Sequence, residues 1–330
     1  MNNIIKWGIL GPGAIAHKFA EGLLAAEDAR LIAVGSRGKK RAEDFSKRYG
    51  IEKSYGSYAE LASDPDIDII YVATPHPFHK ECAKLCLDAG KSVLCEKPFT
   101  LNARDTRELA KLARQKKLFL MEAMWTRFFP AVEKVRKWLR EGVIGEVQML
   151  KADFGFGGVH DPKGRVLNPE LGGGALLDLG IYPVSFASMV FGTQPKTIKS
   201  LADIGPTGVD EKCAMLFGYD DGKMASLSAS FKADLINDVW IFGTKGRIHV
   251  PEFYKASRAI LSLSNEKEEV FDSPYKSTGY QFEAIEAMNC IKQGRIESEI
   301  MPLDESIAIM ETMDSLRAQW ELRYPGEQMI

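Results

Sequence analysis

Residues 8–16, with the sequence GILGPGAIA, decide the fold that this chain predicts. They match the pattern G-x-G-x-x-A between an apolar run and an amphipathic segment, and Ala16 permits close helix–strand packing. Gly11 would allow a tight turn, and Gly13 would let the backbone approach a pyrophosphate at a helix N-terminus. A glycine-rich turn without a ligand is the alternative. The predicted dinucleotide contacts are Gly11, Pro12, Gly13, Ala14 and Ile15.

Outward from this turn, the first third of the chain alternates short apolar runs with amphipathic segments. Strict alternation of strands and helices is typical of a parallel, doubly wound sheet. The predicted strands are 4–10, 31–34, 69–72, 92–95 and 118–121. The predicted helices between them are 14–25, 40–49, 77–89 and 103–116.

The pattern changes from about residue 146, where apolar runs follow one another with Gly and Asp turns between them. Turns such as residues 220–222 and 244–246 favour hairpins and therefore an antiparallel sheet. The predicted strands here are 147–156, 213–219, 224–231 and 239–242, and the predicted helices are 131–141, 175–190, 280–292 and 303–323. We therefore expect an α/β Rossmann domain, 1–122, followed by an α+β domain, 123–330, with a large, open, mainly antiparallel sheet.

Composition excludes several classes of protein. The chain has 330 residues, 45% of them hydrophobic, and a formal net charge of −2, which argues against broad binding to nucleic acid or to an anionic membrane. No segment approaches the roughly 18 apolar residues of a membrane span. The N-terminus leads directly into a predicted strand, which argues against a signal peptide. Five cysteines, mostly in apolar runs, fit reduced thiols, so we expect a cytoplasmic protein.

The end of the second predicted strand indicates which dinucleotide binds. NAD-binding sites carry a carboxylate there for the ribose 2′-hydroxyl. This chain instead has Ser36, Arg37 and, one turn later, Arg41. Arg can hold a 2′-phosphate bidentately, whereas a carboxylate would repel it. We expect NADP, with NAD as the second possibility and a solvated basic loop as the alternative.

A second set of candidate cofactor contacts follows the strand 69–72, namely Thr74, Pro75, His76 and His79. His79, Cys82 and Cys86 also resemble metal ligands. Their i, i+3, i+7 spacing is that of a helix face buried against a sheet, however, and no second Cys/His cluster completes a site. We predict no metal site.

The candidate catalytic residues are Lys97, Asp178 and Tyr182. Lys97 stands in Glu96-Lys97-Pro98 after an apolar run, so its ammonium could project toward a nicotinamide and a substrate. Asp178 and Tyr182 are four residues apart and face the same way on a helix. A phenol whose ionisation is favoured by a nearby Lys⁺ can take the proton of an alcohol as hydride leaves the carbon. The alternatives are an exposed lysine paired with Glu96 and a buried structural tyrosine.

Three motifs together resemble the Gfo/Idh/MocA oxidoreductases: residues 11–16, residues 96–98 and Asp178-x-Gly180-x-Tyr182. The resemblance covers essentially the whole chain. It implies a Rossmann domain, a second domain on an open mixed sheet, and NAD(P)-dependent oxidation or reduction of sugars and related polyols. It also implies that Lys97 is the catalytic lysine. Many members have His where this chain has Tyr182, which favours the glucose–fructose oxidoreductase and dimeric dihydrodiol dehydrogenase branch.

Residues 122–130 resemble the same branch, which implies that Trp125 and Arg127 reach the nicotinamide or substrate side. An aromatic hinge between the domains is the alternative, and both can hold. The long polar loop 154–171 should border the substrate pocket. The candidate cofactor contacts also include Glu96 and Lys97. The candidate substrate contacts are Lys97, Trp125, Phe156, Arg165, Asp178 and Tyr182.

These residues predict an NADP(H)-dependent, metal-independent oxidoreductase acting on a ring hydroxyl or carbonyl of a sugar, polyol or cyclic trans-diol. One alternative is a non-catalytic NADP-sensing protein that docks a partner through its open sheet, and another is a reductase of imine-like substrates. A homodimer would cover the apolar face of a one-sided sheet. The sequence identifies neither the substrate nor the direction, nor whether Lys97 or Tyr182 carries the proton.

Overall fold

The computed structural model describes residues 4–158, 160–192, 194–264 and 267–327. Packing divides the chain into two compact units, Met1–Trp125 with Lys276–Ile307, and Thr126–Tyr275 with Ala308–Ile330. The predicted division, 1–122 and 123–330, does not include this return of the chain to the first unit. Residues 276–307 belong there because helix α8 (Gln281–Lys292) packs on helix α1 (Ala14–Leu23).

The first unit contains a six-stranded parallel sheet in the order β3-β2-β1-β4-β5-β6. This is the strand order of a Rossmann fold, in which ligands bind outside the carboxyl ends of the strands where the order reverses, here between β1 and β4. The strands are Ile5–Leu10, Ala29–Gly35, Lys53–Tyr55, Ile69–Val72, Ser92–Glu96 and Leu120–Ala123. The helices α1 to α5 are Ala14–Leu23, Lys39–Tyr49, Tyr58–Ala62, His79–Asp88 and Ala103–Lys116.

Burial explains why these strands read as short apolar runs. Every residue of β4 and β5 is buried, as expected for central parallel strands covered by helices on both faces. The covering helices begin at side-chain caps in two cases. Ser57 accepts the N–H of Glu60 before α3, and Asn102 accepts the N–H of Asp105 before α5.

The second unit is built on an eight-stranded sheet in the order β14-β13-β12-β11-β7-β10-β9-β8. Only the pair β7–β10 is parallel among the described strand pairs of this sheet. The predicted fold class is thus confirmed, as a mixed and mostly antiparallel sheet. Strands β7 to β14 are Val147–Gly155, Thr197–Ile204, Asp210–Gly218, Met224–Ser230, Val239–Gly243, Gly246–Val250, Arg258–Leu263 and Glu269–Asp272. The helices α6 and α7 are Pro130–Arg140 and Ile181–Phe191, and α9, Leu303–Gln319, follows α8.

One helical run is more apolar than we expected. Residues Pro169–Phe191 have the length and composition of a membrane span, with a mean hydropathy of 1.5, so the expectation that no segment approaches a span was wrong. However, 78% of the most apolar window is buried inside the protein. This run is therefore a core helix, and it is the element that carries Asp178 and Tyr182.

Candidate active site

The glycine turn has the shape of a pyrophosphate site. Gly11 has φ +92°, and a Cβ there would lie 3.2 Å from the carbonyl oxygen of Ala73, so both conformation and space favour glycine. Next to Gly13 the space is open, because a Cβ there would meet only the same oxygen at 4.0 Å. Helix α1 begins directly afterwards without a side-chain cap or an acidic residue in its first turn. Its N-terminus can therefore receive an anion.

A cleft of about 400 Å³ opens beside this turn, which is room for part of a dinucleotide. Ala14 is exposed and Ile15 half-exposed at the start of α1, and their contact with the cofactor stays a prediction. The residues that line the cleft are Gly11, Pro12, Gly13, Ser36, Arg37, Gly38, Arg41, Tyr58, Ala73, Thr74 and Pro75.

The far end of the cleft is cationic. Arg37 and Arg41 are exposed there, whereas Ser36 is buried and its Oγ accepts the N–H of Gly38 at 3.4 Å. The guanidinium of Arg37 lies 5.6 Å from the ring centre of Phe78. Tyr58, which the motifs did not indicate, adds a wall, and burial raises its pKa. No carboxylate lines this cleft within the described residues, so the lining fits a phosphorylated ribose.

His79 connects two loops at this edge of the sheet, and its predicted contact with the cofactor stays a prediction. Its side chain is fully buried, and its ring nitrogens lie 2.7 Å from the carbonyl oxygen of Thr74 and 2.8 Å from that of Pro98. Burial lowers the pKa of His79 to about 4, while the two carbonyl oxygens oppose this shift. His79 thus ties the loop after β4 to the loop after β5, and the neighbouring His76 is also buried. Across residues 4–158, 160–192, 194–264 and 267–327, no group of three or more His, Cys, Asp or Glu could hold a metal ion.

The loop that carries Lys97 is held by buried polar groups. Glu96 ends strand β5 and is buried, which does not fit the alternative of an exposed surface pair with Lys97. The hydroxyl of Tyr71 donates to one carboxylate oxygen of Glu96, and the N–H of Lys97 donates to the other at 3.2 Å. Phe99 lies two residues after Lys97, and its N–H donates to the carboxylate of Glu122 at 3.1 Å. Lys97 itself is half-buried, and its backbone N–H is held by the Glu96 contact.

Glu283 of α8 lies close enough to this loop for its carboxylate to interact electrostatically with Glu96. Its side chain is fully buried, and neither of its carboxylate oxygens has a hydrogen-bond partner within the described residues. Burial, together with the charge of Glu96, raises the pKa of Glu283 well above its usual range. The fold therefore favours the protonated form of Glu283. On the same helix end, Tyr280 stacks on half-buried Trp125, with ring centres 4.3 Å apart and planes 6° apart.

In the second unit, Asp178 and Tyr182 lie on one continuous helical run. Asp178 belongs to a π-helical turn, Leu176–Gly180, and Tyr182 to the first turn of α7. π-Helical turns occur frequently at functional sites. The guanidinium of Arg165 donates to both carboxylate oxygens of Asp178, at 3.0 and 2.9 Å. The structure thus brings together two residues of the predicted set, Asp178 and Arg165, as a bidentate pair.

Arg127 contacts the helix that carries Tyr182. It is buried, its Nε donates to the Oγ of Ser185 at 3.0 Å, and a terminal nitrogen donates to the carbonyl oxygen of Ser185 at 2.7 Å. Ser185 lies one turn after Tyr182 on α7. Arg127 therefore holds the helix that carries Tyr182, and its predicted contact with the cofactor stays a prediction.

An aromatic cluster surrounds Tyr182. Its ring meets Phe154 edge to face, with centres 5.0 Å apart. Phe154 in turn contacts Phe156 at 5.3 Å and Tyr254 at 5.0 Å, and Phe156 is 40% exposed. Tyr254 did not appear among the predicted residues, because it follows β12 and only the folded sheet brings it here. The cluster places apolar rings, of which Phe156 and Tyr254 are partly exposed, next to a phenol, which suits a cyclic substrate with apolar faces.

The geometry defines a dinucleotide-binding oxidoreductase, and comparison with known proteins agrees. Residues 5–124 match the oxidoreductase family with an NAD-binding Rossmann fold, and residues 132–249 match the GFO/IDH/MocA C-terminal domain. The chain belongs to the Gfo/Idh/MocA family. It is therefore an NAD(P)-dependent oxidoreductase that acts on CH–OH groups, as the motifs predicted.

Similar proteins cover nearly the whole chain. The trans-1,2-dihydrobenzene-1,2-diol dehydrogenase of Xenopus laevis is 41% identical over 97% of this chain and 99% of its own length. The enzyme of the same name from Mus musculus is 39% identical over 98% and 99%. Among solved structures, KijD10, a 3-ketoreductase from Actinomadura kijaniata in complex with NADP and TDP-benzene, is 26% identical with a TM-score of 0.84. That match covers 96% of this chain and 98% of KijD10.

Proposed function

We propose that this protein transfers hydride between NADP(H) and a ring hydroxyl or carbonyl of a sugar, polyol or cyclic trans-diol, with a cyclic trans-diol as the favoured substrate. The observation that carries the proposal is the aromatic cluster beside Tyr182, in which Phe154 contacts Tyr182 and also packs against Phe156 and Tyr254. A hydrocarbon ring that bears two hydroxyls can contact the exposed parts of these apolar rings while its hydroxyls meet the phenol. Relatives named for a dihydrobenzene diol support this substrate class.

Ser36, Arg37 and Arg41 would hold the 2′-phosphate of NADP, and the turn at Gly11–Gly13 would hold the pyrophosphate. The NADP in the KijD10 complex supports this preference. NAD is the alternative cofactor. NADP⁺, when bound, supplies the hydride acceptor for alcohol oxidation.

Side chains of this protein would accept and return the proton of the substrate hydroxyl. Tyr182 accepts the proton of the substrate hydroxyl as the C–H and O–H bonds break and the carbonyl forms. Lys97 supplies the positive charge that stabilises the phenolate form of Tyr182 before this transfer, which converts the phenolate to a neutral phenol, and Lys97 also orients the hydroxyl. Asp178, fixed by Arg165, accepts a hydrogen bond from a second hydroxyl of a diol. In the reductive direction the same proton returns from Tyr182 to the alkoxide.

We also propose a cytoplasmic homodimer. All five cysteines are buried free thiols, which fits a reducing compartment. The outward side of the eight-stranded sheet presents Leu216, Met224, Trp240, Phe242 and Val270, each of them exposed or half-exposed. An apolar sheet face of this kind marks an interface between copies. Sedimentation of the wild type and of Trp240→Glu tests it, since a monomeric wild type would contradict the dimer.

The proposed reaction is tested by an absorbance screen for NADPH formation. The panel contains cyclic trans-diols, aldoses and inositols, each with NADP⁺ and with NAD⁺. We expect the highest kcat/KM with a cyclic trans-diol and NADP⁺. Stoichiometric binding of NADPH without turnover of any compound would instead indicate a non-catalytic sensor. Reduction of cyclic imines alone would indicate the imine reductase alternative.

A further inference from the structure

Asp210 is a buried carboxylate outside the residues that touch substrate or cofactor. It begins strand β9 and is fully buried in the second unit. Its Oδ2 accepts the N–H of Leu176 at 2.6 Å, and its Oδ1 has no hydrogen-bond partner within the described residues. Leu176 is the first residue of the π-helical turn that contains Asp178. A residue 34 positions away in sequence therefore caps the helical run that carries Asp178 and Tyr182.

The glycine-rich stretch before this turn makes the capping contact possible. Gly174 has φ +118°, and a Cβ on Gly174 would overlap Oδ1 of Asp210. The hydroxyl of Tyr324 donates to the carbonyl oxygen of Gly173 at 2.5 Å, and a Cβ on Gly174 would lie 3.1 Å from that hydroxyl. The backbone thus passes between Asp210 and Tyr324 immediately before the helical run begins.

The charges around Asp210 leave it as an acceptor for the helix. Arg317 is the cation that faces it, but Arg317 is held by Glu327 at 2.7 and 3.0 Å and by Asp314 at 2.8 Å. The other titratable groups that face Asp210 are the buried Tyr324 and Cys213. Burial raises the pKa of Asp210 to about 7, while the Leu176 N–H opposes this shift. Since both the acid and the carboxylate can accept the Leu176 N–H, the capping contact does not require the charge.

We propose that Asp210 and Tyr324 are positioning residues, which fix the entry of the helical run so that Asp178 and Tyr182 stand in reacting geometry. The proposal rests on the proposed function, because it assumes that Tyr182 carries the proton. Three groups then hold this run: Asp210 at its first residue, Arg165 on Asp178, and Arg127 on Ser185 beyond Tyr182. Tyr324 makes the C-terminal segment a part of the same support.

The test compares Asp210→Ala, Asp210→Asn and Tyr324→Phe by turnover and by hydrogen–deuterium exchange of residues 176–182. Asp210→Ala should lower kcat about 100-fold, the cost of a misplacement of about 1 Å. It should leave the KM for NADP⁺ unchanged and speed exchange at residues 176–182. Asp210→Asn should restore kcat, because its side-chain oxygen still accepts the Leu176 N–H. Tyr324→Phe should show a smaller loss of kcat and faster exchange at the same residues.

Asp64→Ala is the matched control. Asp64 is also a buried carboxylate that accepts a backbone N–H, that of Asp66 at 3.0 Å, but it lies in the first unit. Asp64→Ala should destabilise the protein without changing kcat or exchange at 176–182. The proposal is overturned if Asp210→Asn is as impaired as Asp210→Ala, or if Asp210→Ala leaves exchange at 176–182 unchanged. Faster exchange with normal turnover would support the anchor and overturn the proposed role of Tyr182. If Asp210→Ala does not fold, normal exchange in Tyr324→Phe overturns the proposal.

Discussion

Lys97 and Tyr182 are supported in different ways. Lys97 follows a central strand of the parallel sheet, and the side chains that fix its loop come from neighbouring elements, Glu122 from the end of β6 and His79 from the start of α4. Tyr182 lies on a helix that depends on Arg127 and Asp210, which come from distant parts of the second unit. A strand end is a position that topology alone defines, whereas the helix needs specific side chains to stand in one place. We therefore expect substitutions in the surroundings of Lys97 and in those of Tyr182 to impair the protein in different ways.

The largest effect should come from Tyr182→Phe, which removes the proton acceptor and leaves the ring. We expect kcat for diol oxidation to fall about 10³-fold, within the range for loss of a general base. NADPH should bind with unchanged affinity, because the cofactor cleft belongs to the first unit. Steady-state kinetics and a fluorescence titration with NADPH measure both quantities.

Tyr219→Phe is the control for this change, since Tyr219 lies in the same unit and packs only on Phe191 among the described aromatic rings. It should keep the wild-type kcat. Near-normal turnover in Tyr182→Phe over the whole pH range would show that another group carries the proton.

Lys97→Met tests the contribution of Lys97 to the proposed Lys97–Tyr182 pair, and it should have the second largest effect on kcat. Loss of the ammonium should lower kcat roughly 10²-fold, as for removal of one group that stabilises developing charge. Lys97→Arg keeps the positive charge but cannot give up a proton at working pH. Partial activity in Lys97→Arg would assign Lys97 an electrostatic role, whereas full loss in both variants would make Lys97 the proton carrier.

Lys91→Met is the control in the same unit. Lys91 is buried, and its ammonium donates to the carbonyl oxygen of Ile67 at 2.9 Å. Its loss should reduce stability and leave kcat unchanged.

The same contrast explains how much of the fold the sequence could predict. The buried strands Ile69–Val72 and Ser92–Glu96 are continuous apolar runs, so their positions were predicted almost to the residue. Strand β8, Thr197–Ile204, was missed because it is an edge strand with exposed or half-exposed residues throughout. Strand Lys53–Tyr55 and helix Tyr58–Ala62 were missed because they are too short to show a period. Helix α8 was predicted, but its pattern does not say which sheet it covers.

The residues of the candidate site also differ in how far the sequence could predict them. Residues in local motifs, such as Gly11, Lys97 and Tyr182, could be found because spacing and a turn define them. Tyr254 and Asp210 could not, since only the folded sheet brings Tyr254 to Phe154 and Asp210 to the N–H of Leu176. Glu283 left a weak signal, as it is a charged residue on the buried side of α8 next to Ala284. A buried acid in an otherwise apolar helix face is therefore worth following in related sequences.

Arg41→Ala should have a moderate effect confined to the cofactor. Loss of one charge-assisted bond to a 2′-phosphate, worth about 1.5–3 kcal/mol, should raise the KM for NADP⁺ roughly 10- to 100-fold. The KM for NAD⁺ should not change, because NAD lacks that phosphate. Lys47→Ala, at another exposed position of α2, is the control and should alter neither value. Equal losses with NADP⁺ and NAD⁺ would contradict the assignment of Arg41 to the 2′-phosphate.

Glu283→Gln should have the smallest effect on turnover but a clear effect on stability as pH changes. The folded protein raises the pKa of Glu283 well above 4.5, because burial and Glu96 disfavour its charge. Between the unfolded and folded pKa values the native state therefore holds the additional proton. Wild-type stability must then fall as pH rises, by up to about 1.4 kcal/mol per pH unit from this group. Glu283→Gln lacks this proton, so its free energy of unfolding relative to wild type should increase from pH 5 to pH 8 in urea titrations. Glu27→Gln at an exposed position should show no such trend. A difference between Glu283→Gln and wild type that stays constant with pH would mean that Glu283 is ionised in the fold, and that the support behind Lys97 carries a second negative charge.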